Sequence, residues 1–141
     1  MMLSKFYIPI AAFLGALTVA LGAFGAHALK AVLSPAALIT YETAVRYQMY
    51  HVVALLFTGI LLQKASFPKQ QKLLNRAGLF FIDGIVLFSG SLYFIVAKPF
   101  LGIEGLPWVG IITPMGGLLW MVAWVLLGLS QLKGVENSDS I

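Results

Sequence analysis

His27, Glu42, Arg46, His51 and Asp83 are the ionisable side chains set within otherwise apolar runs of this chain. Their chemistry is proton exchange, ion pairing and metal ligation. Glu42 and Arg46 lie four apart with the acid first, the favourable helical spacing for an ion pair. Arg46 is also suited to a lipid phosphate or a partner's carboxylate. His51 lies about 140° around the same helix from Arg46, so the two do not share a face. His27 and His51 together invite a metal or haem reading. Two ligands fall short of the three or four that a zinc site takes from protein. Hydrogen bonding to a tyrosine or a carbonyl is the simpler use for each imidazole. Asp83 shares a helical face with Arg76, two turns away, and with Gly90. It reads as a carboxyl held neutral by desolvation, a water-linked partner of Arg76, or a proton relay.

These groups sit among hydrocarbon. The 141 residues are 60% hydrophobic and 10% charged, against roughly 25% charged in an average soluble domain. A soluble fold of this size could not cover its surface with so few polar groups. Lipid must solvate most of the outside. A membrane helix takes ~20 apolar residues, and the chain has room for four. The expected fold is all-α, an integral membrane four-helix bundle in a single domain over residues 1–132. Its helices are expected at about 6–29, 44–63, 73–97 and 108–132. Residues 133–141 read as a polar, disordered tail. The net charge of +4 forms no aromatic-interleaved patch, so nucleic acid is not an expected partner. Without cysteine there is no disulfide or thiolate site, and no pattern calls for a cofactor.

The positioning elements follow in order. Lys5, an apolar run and Ala26-His27-Ala28 imitate a secretory signal. The run from Phe6 to Ala26 exceeds the ~7–15 residues of a signal core, so a retained first helix is expected. Pro9 fits its first turn. Ala12, Ala16, Ala20, Ala23 and His27 share one face, a smooth seam for close helix packing. Ser34-Pro35 is a cap with proline at the first helical position. The stretch from Pro35 to Leu62 exceeds one crossing, so a short interfacial helix or bend is expected before Ala44. Thr40, Ala44, Tyr47, His51, Ala54 and Thr58 form its small, polar stripe, expected to pack on the alanine seam and bring His51 towards His27. Lys64, Lys69, Lys72 and Arg76 make a basic loop. Ser89, Gly90 and Ser91 interrupt the third helix with groups suited to close packing or cross-helix hydrogen bonds. Pro114 is expected to kink the fourth. Tyr41, Tyr47, Tyr50 and Trp108 read as an outer aromatic belt. Trp120 and Trp124 read as core or subunit interface.

Lysine and arginine counts place Lys5, the basic loop and Lys133 on one side, with Lys30, Arg46 and Lys98 opposite. The expected location is the inner (plasma) membrane, crossed several times, with both termini cytoplasmic.

Four stretches together resemble a known family. They are Gly22-Ala-Phe-Gly-Ala-His-Ala-Leu29, Tyr41-x-Thr-Ala-x-x-Tyr-Gln-x-Tyr-His51, Phe88-Ser-Gly-Ser-Leu-Tyr93 and Thr113-Pro-x-Gly-Gly117. The chain resembles the small bacterial inner-membrane proteins of the domain of unknown function 423 family, which has animal relatives. The resemblance implies a four-helix membrane protein and supplies no activity. It draws attention to Tyr47, Gln48, Ser89 and Ser91 beside the histidines, while Asp83 lies outside its motifs. The reading carried forward is a non-enzymatic binding or assembly component with a polar cluster near the outer face. Its expected partners are the bilayer, another membrane protein or a second copy. The alternatives are a small proton-linked transporter or channel using His51 and Asp83, and a haem- or metal-binding redox subunit using the histidines.

Overall fold

The structure is a computed structural model that describes residues 6–103 and 105–132. Lys5, Glu104, Lys133 and the expected tail lie outside the described residues. Every regular element described is helical: α1 (Tyr7–His27), α2 (Pro35–Lys64), α3 (Pro68–Gly84), α4 (Gly90–Ala97) and α5 (Val109–Leu129). A π-helical turn, Ile85–Ser89, joins α3 to α4, so the third span is one rod from Pro68 to Leu101. Four helices are long and apolar enough to cross a membrane.

The expected break before Ala44 is absent: α2 runs unbroken over 30 residues. The Ser34 side chain accepts a hydrogen bond from the Ala37 amide, and Pro35 sets the first helical residue. Nothing after it disfavours the helix, and Tyr41 in its second turn is already packed into the bundle. The start of α3 also precedes expectation, at Pro68, where Phe67 is extended and the proline needs no amide partner. The fourth span passes through Pro114 as a single helix.

Helix contacts run α1 on α2, α2 on α3 and α4, and α3 on α5. The second and third spans are therefore central, with α1 and α5 flanking them. The shared core includes Tyr7, Leu55, Phe81, Ile85 and Trp120. Large apolar groups such as Phe13, Ile111 and Met121 face outward. In water these would form aggregating patches; in lipid they are ordinary solvent contacts.

Lipid gives helices no hydrophobic reason to associate, so packing and hydrogen bonds must hold them. Each main interface has such a bond. Gln48 Nε2 donates to Thr18 Oγ1 at 2.7 Å, joining α2 to α1. The Tyr93 hydroxyl donates to Gln48 Oε1 at 3.0 Å, adding α4. Ser89 donates to the Ala44 carbonyl at 2.9 Å. The Ser91 and Thr113 hydroxyls share a 2.6 Å bond between α4 and α5. Trp120 donates to the Phe81 carbonyl at 3.2 Å, tying α5 to α3. Tyr7 donates to the Asn75 carbonyl at 2.8 Å, tying α1 to α3.

The seam pairing read from the sequence is overturned. Ala12, Ala16, Ala20, Ala23 and His27 are all exposed on the perimeter. The buried face of α1 is Tyr7, Ala11, Thr18 and Gly25. Alanine methyls lose nothing by facing lipid, whereas the Thr18 hydroxyl, which donates to the Leu14 carbonyl within α1, can accept from Gln48 only when it faces α2. Glycine also decides the face. At Gly25 an added Cβ would stand 2.6 Å from the Tyr41 ring. That ring lies across α1, and its hydroxyl donates to the Leu21 carbonyl at 2.8 Å. Tyr41 is thus buried, not part of an interfacial belt; Tyr47, Tyr50 and Trp108 remain exposed. The stripe of Ala44, His51 and Thr58 faces inward as expected, but it meets the third and fourth spans. Ala44 bonds Ser89, and His51 stacks on Trp120.

Candidate functional site

The polar residues sort into an interior group and a perimeter group. The interior group is Thr18, Gln48, Ser89, Ser91, Tyr93 and Thr113, drawn from four spans. It forms three hydrogen-bonded sets: Thr18–Gln48–Tyr93, Ser89 with the Ala44 carbonyl, and Ser91 with Thr113. Among the described residues no buried side-chain nitrogen or oxygen lacks a partner. Such a cluster fixes helix register. Gln48, Ser89 and Ser91 therefore sit in the scaffold of the bundle.

His51 is the most chemically defined residue. Its ring lies parallel to the Trp120 indole, with centroids 3.6 Å apart and planes 2° apart. Phe81 and Trp124 flank it. Its Nδ1 is 2.7 Å from the Tyr47 carbonyl oxygen. A carbonyl only accepts, so Nδ1 carries the proton, which leaves the lone pair on Nε2 whenever the ring is neutral. Such a nitrogen can accept a proton or a hydrogen bond. Its aromatic cage restricts access, since the residue is only 7% exposed.

His27 stands elsewhere. The antiparallel register sets Gly25 against Tyr41, Gly22 against Val45, and Thr18 against Gln48. That places His27 level with about residue 40 of α2, roughly 16 Å along the axis from His51. It also faces outward at the end of α1. The two imidazoles do not converge within one chain, which corrects the expectation that they could. Among the described residues no three His, Asp or Glu side chains are grouped to hold a metal.

Asp83 is exposed on the third span. It lies two residues, about 200° of helical rotation, from Phe81, which faces His51. Asp83 and His51 thus face opposite ways, and a single relay through both is not built into one chain.

The remaining candidates are at the end of the bundle opposite the basic loop. Glu42 and Arg46 are exposed and line a groove of about 250 Å³ between α1 and α2. Gly22, Gly25 and Ala26 form its other wall. Small residues on α1 create the gap, and the i, i+4 spacing brings acid and base to its edge. Tyr47 lies on the other side of α2, where it stacks on Trp120 with centroids 6.2 Å apart.

Sequence reasoning missed Thr18 and Tyr7 as interhelical partners, and it read Trp120 as core or subunit interface, which the buried ring bears out, without its pairing to His51. The available signals were a lone hydroxyl in an apolar helix and glycines opposite each ring. Added Cβ atoms at Gly78 and Gly84 would strike Tyr7 and Trp120 respectively.

A fully paired polar interior inside an apolar exterior defines a multi-pass helical membrane protein. The comparisons agree. The family described as "Protein of unknown function (DUF423)" matches residues 21–117. UPF0382 membrane protein SAB0533 of Staphylococcus aureus is 36% identical over 129 residues, covering 92% of this chain and 97% of the relative. UPF0382 membrane protein YwdK of Bacillus subtilis is 35% identical, covering 92% and 98%. A UPF0382 membrane protein of Haemophilus influenzae is 35% identical, covering 90% and 94%. The chain belongs to this family of bacterial membrane proteins. No solved structure matches it significantly.

Proposed function

We propose that the protein is a non-enzymatic binding or assembly component of the plasma membrane. Its working surface is the outer end of the α1–α2 pair. The observation that carries this reading is the division of polar groups. Those buried inside all have hydrogen-bond partners among the described residues, while Glu42 and Arg46 stand exposed beside a groove. A carboxylate and a guanidinium presented together at a headgroup boundary suit a partner helix or a lipid phosphate. His27, exposed and next in the chain to Ala26 of the groove wall, extends the same surface.

The orientation follows from charge. Lys64, Lys69, Lys72 and Arg76 cluster around one loop, and this charge bias supports a cytoplasmic side for the loop and for both termini. The groove then lies at the outer leaflet, in the inner membrane of bacteria with two membranes.

Purification in a mild detergent tests the function. A stoichiometric membrane-protein or lipid partner should accompany the wild-type chain and be lost in the Glu42→Ala/Arg46→Ala double variant. Two results would overturn the reading. One is proton or cation flux in proteoliposomes that Asp83→Asn abolishes. The other is a haem absorption band in the purified protein.

A further inference from the structure

A second groove, of about 340 Å³, opens at the same end of the bundle, between α1 and α4. Leu21, Phe24 and Leu29 form one wall, and Phe100 and Leu101 stand on the other. Both walls climb eight residues, from Leu21 to Leu29 and from Tyr93 to Leu101. At 1.5 Å per residue that is about 12 Å along the helices, parallel to the acyl chains of a bilayer. The rings of Tyr41 and Tyr93 also line the groove, with centroids 5.3 Å apart. Both hydroxyls are engaged elsewhere, with the Leu21 carbonyl and Gln48. The lining therefore offers hydrocarbon and aromatic faces, with no unpaired polar group. A polar small molecule would find no partner there.

The rim is different. Lys30 follows Leu29 in a short 3₁₀ turn after α1. Lys98 follows Ala97 at the end of α4, and its ammonium donates to the Gly105 carbonyl, with further N–H groups to spare. The two turns that close the groove at the membrane surface thus each carry a cation. An apolar channel parallel to the lipid tails, topped by two ammonium groups, has the chemistry of one lipid. We propose that this groove holds an acyl chain of an anionic phospholipid, with Lys30 and Lys98 at its phosphate. It lies on the other side of α1 from Glu42 and Arg46, so it does not depend on the function proposed for them.

Native mass spectrometry of the full chain, released from micelles into known lipid mixtures, tests this. The probes are phosphatidylglycerol and phosphatidylcholine with identical acyl chains. The wild type should retain phosphatidylglycerol preferentially. Each juxtamembrane lysine is worth about fivefold in attraction to an anionic headgroup, so Lys30→Ala/Lys98→Ala should bring the two lipids to near parity. Ala97 also lines the groove, and Ala97→Trp should fill it and reduce retention of both lipids. Ala97→Leu is the milder filling variant, and thermal melting reports whether each variant folds. Equal retention of the two lipids by the wild type would overturn the proposal. So would a preference that survives loss of both lysines, or retention unaffected by filling the groove in a folded variant.

Discussion

Trp120→Ala should lower the stability of the folded bundle by about 3–5 kcal/mol, the range for deleting a buried large aromatic side chain. The indole is 3% exposed. It fills the gap between the fourth span and the two central ones. It stacks on His51, tilts against Phe88 at 4.7 Å, and donates to the Phe81 carbonyl. Alanine would leave a cavity, an uncovered imidazole and a carbonyl without its indole partner. Trp124→Ala is the control, since that ring is 49% exposed, makes no interhelical hydrogen bond among those described, and should cost clearly less than Trp120→Ala. Reversible unfolding in mixed micelles, followed by circular dichroism, measures both. Equal losses would mean that Trp120 is not the link between the flanking helix and the centre.

The second large effect is expected at Gly116. A Cβ there would stand 2.5 Å from the Phe88 amide nitrogen and 3.0 Å from the Phe88 Cα. These are backbone atoms of the π-helical turn and cannot rotate away. Gly116→Val should therefore push α5 off the third span, at a cost of about 3 kcal/mol. Its neighbour provides the contrast. The nearest atom to a Cβ on Gly117 is 3.8 Å away, in the flexible end of the Phe88 ring. Gly117→Ala should be neutral or stabilising by up to about 1 kcal/mol, because alanine favours the helix. The same unfolding measurement separates the two. A tolerated Gly116→Val would show that the π-turn and α5 are not in close contact.

The π-turn explains why this contact forms. The wider turn re-aims the residues that follow it, so Ser89 meets Ala44 while Ser91 meets Thr113. Its sequence signal was the Ser89-Gly90-Ser91 interruption, which predicted close packing and cross-helix bonds without predicting the form of the turn. The four spans were legible because their apolar length is set by bilayer thickness, whatever packs against what. The faces were not. Small residues mark a packing seam only when competing faces offer less, and on α1 the hydroxyl of Thr18 and the gap at Gly25 outweighed four alanines. The extent of α2 was misjudged for a related reason. Tyr41 reads as an interfacial anchor by composition, yet its ring fits over Gly25, a pairing visible only once the helices are in register. At the candidate site, Glu42 and Arg46 stand at the groove edge. Their i, i+4 spacing was enough to set both on one side of α2, where they line the groove. The partnership of His51 and Trp120 joins residues 69 positions apart and had no local signature.

The central claim is that the hydroxyl-and-glycine face of α1 meets protein and its alanine face meets lipid. The chain has no cysteine, so single cysteines from Ala11 to Ala26 can each carry a spin label in liposomes. Collision rates with oxygen and with a water-soluble nickel chelate then report the surroundings. Oxygen contact should peak at Ala12, Ala16, Ala20 and Ala23 and fall at Ala11 and Thr18, with nickel contact low throughout the middle of the helix. A reversed phase, or nickel reaching Thr18 in the folded protein, would contradict the account.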